Sequence, residues 1–265
     1  MALPDIRRDE SRERFGWSPR PGAAALSLPE QIAEALGGAI IAGRLEPGER
    51  MQEGDIAEQF SVSRGPAREA LRILERDGLV QFQARRGARV TTLTVDEVAE
   101  VFEVRGALLG VAARRLATQA ERQDTAEIER RITRLAALAR EDDADRYVAA
   151  VHELNLLLAK ACGSALLRGM FFSLAHRTLR YTRLGLATPA RRSQSARNWR
   201  RLWSTIQAGD ASGAQEQAEA LVLASRDTAI SRLRDAQPAD PSAAPPAPRR
   251  RGRAPVSASN EDPRK

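Results

Sequence analysis

The stretch that decides the fold runs from Glu53 to Val90: EGDIAEQFSVSRGPAREALRILERDGLVQFQARRGARV. Ile56, Ala57 and Phe60 recur at helical spacing and predict a short buried-faced helix over 53–60. Ser61-Val62-Ser63 makes a tight polar turn, and Ser63 is suited to cap the helix that follows. Pro66 is compatible with that helix because it falls in the first turn, where its missing N–H has no intrahelical partner to lose. Ala67, Ala70, Leu71 and Leu74 form the inward face, and Gly78 stops the helix. Residues 79–83 then alternate like a half-buried strand, Arg86-Gly87-Ala88 turns, and 89–91 returns. Two helices across a turn, followed by a hairpin, are a winged helix-turn-helix, which reads base edges with the start of its second helix.

The outward side of that second helix carries the candidate chemistry. With the apolar residues packed inward, Ser63, Arg64, Gly65, Arg68 and Arg72 are left to face DNA. Guanidinium forks suit bidentate contact with guanine or clamping of phosphate, and the helix N-terminus adds N–H donors for phosphate. Gly65 permits close backbone approach, and Arg85, Arg86 and Gly87 at the hairpin tip are placed for the backbone or the minor groove. Each has a plainer alternative: Arg72, beside Glu69, Glu75 and Arg76, fits a solvated charge network, and Arg85 fits a merely solubilising tip.

Outward from this core, the pattern Leu28, Ile32, Ala35, Leu36, Ile40 predicts a helix ending near Gly43, followed by a Leu45-Glu46-Pro47-Gly48 turn. Residues 1–26 are charged or rich in Pro, Gly and Ala and are expected to be a disordered leader. Thr94-Val95-Asp96-Glu97 has the spacing of a capping box and opens a helix to about Thr118. Further amphipathic helices are expected at roughly 124–141, 143–162, 164–185, 192–208 and 210–234, joined by links short enough for an antiparallel bundle. The fold class is therefore mainly α. An N-terminal DNA-binding domain over 27–93 precedes an all-helical domain over 94–235, and 236–265 is a disordered basic tail. Its Pro248–Pro255 stretch resembles an AT-hook interrupted by Ala254; a solvated basic tail that attracts DNA non-specifically is the plainer reading.

Composition narrows the function classes. A net charge of +7 over 265 residues favours a polyanionic partner. The excess sits largely in the tail and in Arg-rich stretches near 177–201, while the helix-turn-helix itself is close to neutral. Cys162 is the single cysteine, which excludes an intramolecular disulfide and suits a reducing cytoplasm. The N-terminus is too charged for a signal peptide, and no apolar run approaches the ~20 residues of a membrane span. Without a Cys/His pair, a metal cluster or a Gly-rich phosphate loop, the chain is not expected to be an enzyme.

On these motifs the chain resembles the GntR family of bacterial transcription regulators. The resemblance over 27–93 rests on Leu45–Glu49, Asp55-Ile56-Ala57, Val62-Ser63-Arg64, Pro66–Leu71, Asp77–Val80 and Arg85–Ala88. The helical remainder, with Val101–Arg105 and Ala208-Gly209-Asp210, is similar to the FadR-like subfamily and its FCD effector domain. The resemblance implies a homodimer on a palindromic operator, its affinity set by a small-molecule effector, with repression as the expected sign. Two positions depart from the family pattern. Gly54 stands where many relatives place a DNA-contacting Arg. The positions that in many FCD domains hold a divalent cation fall here on Val151, Asn155, Trp199 and Leu221, of which only Asn155 could ligate. The chain's two histidines, His152 and His176, cannot supply a three-histidine site, so no metal cofactor is expected.

Without that metal, an effector must be more apolar, or be an acid held by arginine. Arg105 is the first candidate anchor, since a buried guanidinium needs an anionic partner; a structural ion pair with Glu103 or another helix is its alternative. Val151, Asn155, Trp199 and Leu221 would line the pocket, and Tyr181, Trp203, Phe171 and Phe172 are either further lining or ordinary core. The competing function is a nucleoid-type protein that binds DNA with little sequence preference.

Overall fold

The computed structural model describes residue 6 and residues 25–83, 87–119 and 124–236. The N-terminal unit starts with α1 (Leu28–Ile41), entered through Ser27, whose N–H donates to Glu30 Oε2 at 2.8 Å, with Pro29 in its first turn. Then follow β1 (Arg50–Met51), α2 (Glu53–Phe60), α3 (Arg64–Arg76), β2 (Val80–Gln83) and β3 (Gly87–Val90). The turn between α2 and α3 is made by Ser61 in the left-handed region (φ 54°) and by Val62, whose N–H reaches back to Ala57 O. Ala67, Ala70, Leu71 and Leu74 of α3 are fully buried and seat it against α1 and α2. Gly78 closes α3 at φ 74°, and a Cβ there would also lie 2.2 Å from Arg177 Nε. The positive φ demands glycine, and a larger residue would also displace the Arg177 side chain.

The hairpin gains a strand that its two-residue length hid from the sequence pattern. The sheet order is β1-β3-β2, all antiparallel, with Met51 opposite Ala88 and Val80 opposite Val90. These four side chains are buried, so the wing is anchored to the same core as the helices.

The remaining chain is helical: α4 (Val95–Thr118), α5 (Thr125–Leu138), α6 (Ala144–Ala161), α7 (Ala165–Gly185), α8 (Pro189–Gln207) and α9 (Ala211–Ala236). The Thr94–Glu97 capping box forms as its spacing predicts: Thr94 Oγ1 accepts from Glu97 N at 3.2 Å and Thr94 N donates to Glu97 Oε2 at 2.7 Å. Helix α4 is the central element, packed against α6, α7, α8 and most extensively α9. Its Val98, Phe102, Leu109, Ala113 and Leu116 point inward at intervals near 3.6 residues. Helix α8 starts at Pro189, three residues before the predicted start, because Pro189 opens it and Thr188 caps it by accepting from Arg191 N. Helix α5 stops at Leu138, earlier than expected, in a turn over 139–141.

Ile6, placed by composition in a disordered segment, is 1% exposed and belongs to the hydrophobic core. A single large aliphatic side chain gains roughly 1.5–3 kcal/mol by leaving water. The rest of 1–24, the hairpin tip with Arg85 and Arg86, and the tail from 237 lie outside the described residues.

Candidate nucleic-acid interface

The recognition face is built by the packing of α3. Because Ala67, Ala70, Leu71 and Leu74 are consumed inside, the first turn and the stripe one turn further are forced outward: Ser63, Arg64, Gly65, Arg68 and Arg72 are all exposed. Ser63 occupies the N-cap position with extended backbone, but its hydroxyl makes no cap hydrogen bond, so the side-chain oxygen stays open to a partner. A Cβ at Gly65 would meet only Ser63 Oγ, at 3.9 Å, so nothing inside the chain demands glycine there. The same is true of Gly54, where a Cβ would lie 4.0 Å from Arg64 Nη2. The Arg64 guanidinium thus borders the space above Gly54. Gly87 opens β3 on the exposed side at φ 76°.

The three arginines differ in how they are held. Arg64 has no ion-pair partner within 4 Å among the described residues. Arg68 donates to Glu53 through both Nε (to Oε1) and Nη2 (to Oε2), each at 2.8 Å. Its hydrogen bonds hold the Glu53 carboxyl below the ordinary carboxylate range. Arg72 pairs with Glu75 Oε2 at 2.8 Å and lies 4.3 Å from the centre of the Phe82 ring. It therefore ties α3 to the wing strand β2, a structural role between the two sequence readings.

The bundle interior holds a second cluster of chemistry. Arg105 on α4 is 5% exposed, and its Nη1 donates to Thr182 Oγ1 at 2.7 Å and to Thr178 Oγ1 at 3.2 Å. The rings of Phe102 and Phe171 lie 5.7 and 5.9 Å from its guanidinium carbon. Its Nε–H is buried without an acceptor, and no carboxylate pairs with it among the described residues. The alternative ion pair with Glu103 is not formed, because residues two apart on a helix face different ways and Glu103 is exposed. Burial alone pushes the guanidinium down to about 10.

Val151, Asn155, Trp199 and Leu221 are all buried, on α6, α6, α8 and α9. Asn155 Nδ2 donates to Val151 O at 2.9 Å, leaving Asn155 Oδ1 buried with no partner. The indole N–H of Trp199 and that of Trp203 are likewise buried without acceptors. Phe171, Tyr181 and His152 are buried too, and the side chains of Phe172 and His176 lie outside those described. Among the described residues no helix is long and apolar enough to cross a membrane.

Comparison with known proteins places these features. Residues 28–90 match the family model for bacterial regulatory proteins of the gntR family, and residues 100–224 match the FCD domain. The HTH-type transcriptional regulator BphR of Paraburkholderia xenovorans (strain LB400) is 31% identical over 173 residues, covering 63% of this chain and 71% of BphR. The chain belongs to the gntR family. The HTH-type regulator YdhC of Bacillus subtilis (strain 168) is 37% identical over 93 residues, 35% of this chain; that match spans only 42% of YdhC. In fold, the chain is similar to E. coli McbR/YncC, with a TM-score of 0.66 at 20% identity, covering 79% of this chain and 100% of that one.

Within this family the metal-site positions can be tested on their donors. Val151 and Leu221 offer none, the Trp199 indole nitrogen carries a hydrogen and cannot ligate, and Asn155 Oδ1 is one oxygen. These four residues do not fit a divalent cation. Sequence reasoning missed Thr178 and Thr182, the only hydrogen-bond partners that Arg105 has among the described residues, and the Glu53 clamp on Arg68. Only the i, i+4 threonine pair carried a signal, two hydroxyls aligned on one face of α7.

Proposed function

We propose that this chain is a homodimeric, sequence-specific DNA-binding transcription repressor whose operator affinity is set by a small-molecule effector in the helical bundle. Residues 27–93 are the reader, and residues 94–235 sense the effector and pair the subunits. The observation that carries the reading is the exposed first turn of α3, where Ser63, Arg64, Gly65 and Arg68 stand clear of the core that fixes them. One such helix reads only a few base pairs, so a two-fold dimer on a palindromic operator supplies the needed length. Arg85, Arg86 and Gly87 at the wing add backbone or minor-groove contact, and Arg72 holds the wing in place. The test is selection of binding sites from random duplexes, followed by titration of the winning site and a scrambled one. A palindromic consensus is expected; a salt slope with no preferred sequence would instead favour a nucleoid-type protein.

In the titration, Arg64→Ala should weaken operator binding about tenfold, roughly 1.4 kcal/mol, with a smaller loss on scrambled DNA. Equal losses on both would reduce Arg64 to a phosphate contact. Sedimentation at micromolar concentration should give the mass of two chains; a mass of one chain would contradict the dimer.

The effector is an organic acid whose carboxylate pairs with Arg105, its apolar part lying against Val151, Trp199 and Leu221 with Asn155 as a polar contact. A buried guanidinium held by two hydroxyls, its Nε–H lacking an acceptor, supports this class. A thermal-shift screen of carboxylates against neutral isosteres tests it: stabilisation by the acids alone is expected, and equal stabilisation by neutral analogues would refute the pairing.

A further inference from the structure

We propose that Glu53 is a specificity-determining positioning residue, which locks the Arg68 guanidinium with its outer edge turned to a guanine and keeps it off phosphates. This rests on the DNA-reading proposal above and goes beyond it, since Glu53 does not belong to the recognition helix. Glu53 opens α2, fifteen residues before Arg68, and the turn at 61–63 brings the two side chains together across the helix pair. The contact is fork to fork: Nε and Nη2 of Arg68 each meet one carboxylate oxygen at 2.8 Å. That geometry uses the side edge of the guanidinium. The end edge, Nη1 and the outer N–H of Nη2, stays open, with the two parallel donors that match guanine O6 and N7.

Exposure shows which partner is outermost. The Arg68 side chain is 63% exposed and Glu53 only 27%, so the carboxylate sits behind the guanidinium rather than over it. Such a pair does not hide the arginine from DNA. It removes the torsional freedom that a long side chain would otherwise lose on binding. It also places a negative charge beside Arg64, Arg68 and Arg72, all of which interact electrostatically with Glu53. A free arginine wraps readily onto any phosphate; one neutralised from behind gains less from the backbone and relatively more from a base.

The experiment compares the full-length protein with Glu53→Gln and Glu53→Asp, each alone and combined with Arg68→Ala. Binding is titrated on the selected operator, on scrambled DNA, and on operators with single base-pair changes, over a range of salt. Arg68→Ala first identifies the base pair that Arg68 reads. Glu53→Gln should then lower discrimination at that pair about tenfold. It should also raise affinity for scrambled DNA and steepen the salt slope by about one unit, as one arginine is freed for phosphate. Glu53→Asp keeps the charge at the start of α2 but is one methylene too short for the fork. It should lose the same discrimination, with a rise in salt slope smaller than that of Glu53→Gln because the carboxylate charge remains nearby.

In the Arg68→Ala background neither change should alter base preference further. Full discrimination in Glu53→Asp would reduce Glu53 to a source of charge and overturn the proposal. An effect of Glu53→Gln that persists without Arg68 would overturn it as well, by making Glu53 a direct DNA contact. A parent protein with no sequence preference would instead defeat the DNA-reading proposal itself.

Discussion

Arg105→Met should stabilise the protein and make it deaf to its effector. Burial lowers the Arg105 guanidinium from its ordinary value to about 10, so the charged form is disfavoured in the folded chain. The sign follows from linkage. A base depressed on folding leaves the unfolded chain binding more protons, so stability rises as pH climbs past about 10, and the full cost is present at neutral pH. That lowering corresponds to a cost of about 3 kcal/mol, an upper figure because the two threonine hydroxyls offset part of it. Methionine keeps an unbranched stem among Phe102 and Phe171 without the charge, so the cost of desolvating a cation is removed while apolar packing is kept. The thermal midpoint should therefore rise by several degrees while every carboxylate loses its stabilising shift. A lower midpoint together with an intact response would show that the guanidinium is structural. The trade is the one expected of a site held in readiness for a ligand: the charge destabilises the empty fold and is neutralised when an acid binds.

What the sequence made legible here was local. The start of α4 was readable because a capping box is a four-residue event, and Thr94 with Glu97 fulfils it. The inward face of α3 was readable because Ala67, Ala70, Leu71 and Leu74 declare their side by spacing alone. Once that face is fixed, the outward position of Arg64 and Arg68 follows. The features that escaped were those joining distant residues. Thr178 and Thr182 meet Arg105 across 73 and 77 positions, and no short pattern encodes such a meeting. The two-residue β1 lacks the length for alternation to show and exists only because β3 is already there to pair with it. Arg105 itself was identifiable as a buried cation in need of a partner. A carboxylate is the partner that a buried cation calls for, whereas the fold supplies neutral hydroxyls and leaves the anionic place open.

Arg180→Met should abolish the effector's control of DNA while sparing both binding events. Helix α7 faces two ways within one turn. Thr178 and Thr182 hold Arg105 in the bundle interior, whereas Arg180 Nη1 donates to Leu45 O at 3.0 Å and Tyr181 OH accepts from Leu93 N at 3.0 Å. Leu45 lies just beyond α1 in the reader, and Leu93 lies in the link between the wing and α4. A ligand that draws the Arg105 guanidinium toward its own carboxylate weakens the threonine contacts, and any resulting shift of α7 is carried to residues 180 and 181 by the stiffness of a single helical turn. Arg180 is well placed to transmit it, since burial makes its charge costly and it donates to the Leu45 carbonyl. If this connection carries the coupling, the ratio of operator dissociation constants with and without effector should fall from the ~5–150 typical of regulated proteins toward one. Because linkage is reciprocal, the effect of operator DNA on effector affinity should vanish by the same factor, a second measurement that a simple folding defect would not reproduce. Tyr181→Phe, which removes only the acceptor for Leu93 N, should reduce the ratio in part. A full ratio in both variants would place the coupling outside α7, in contacts that do not pass through the turn holding Arg105.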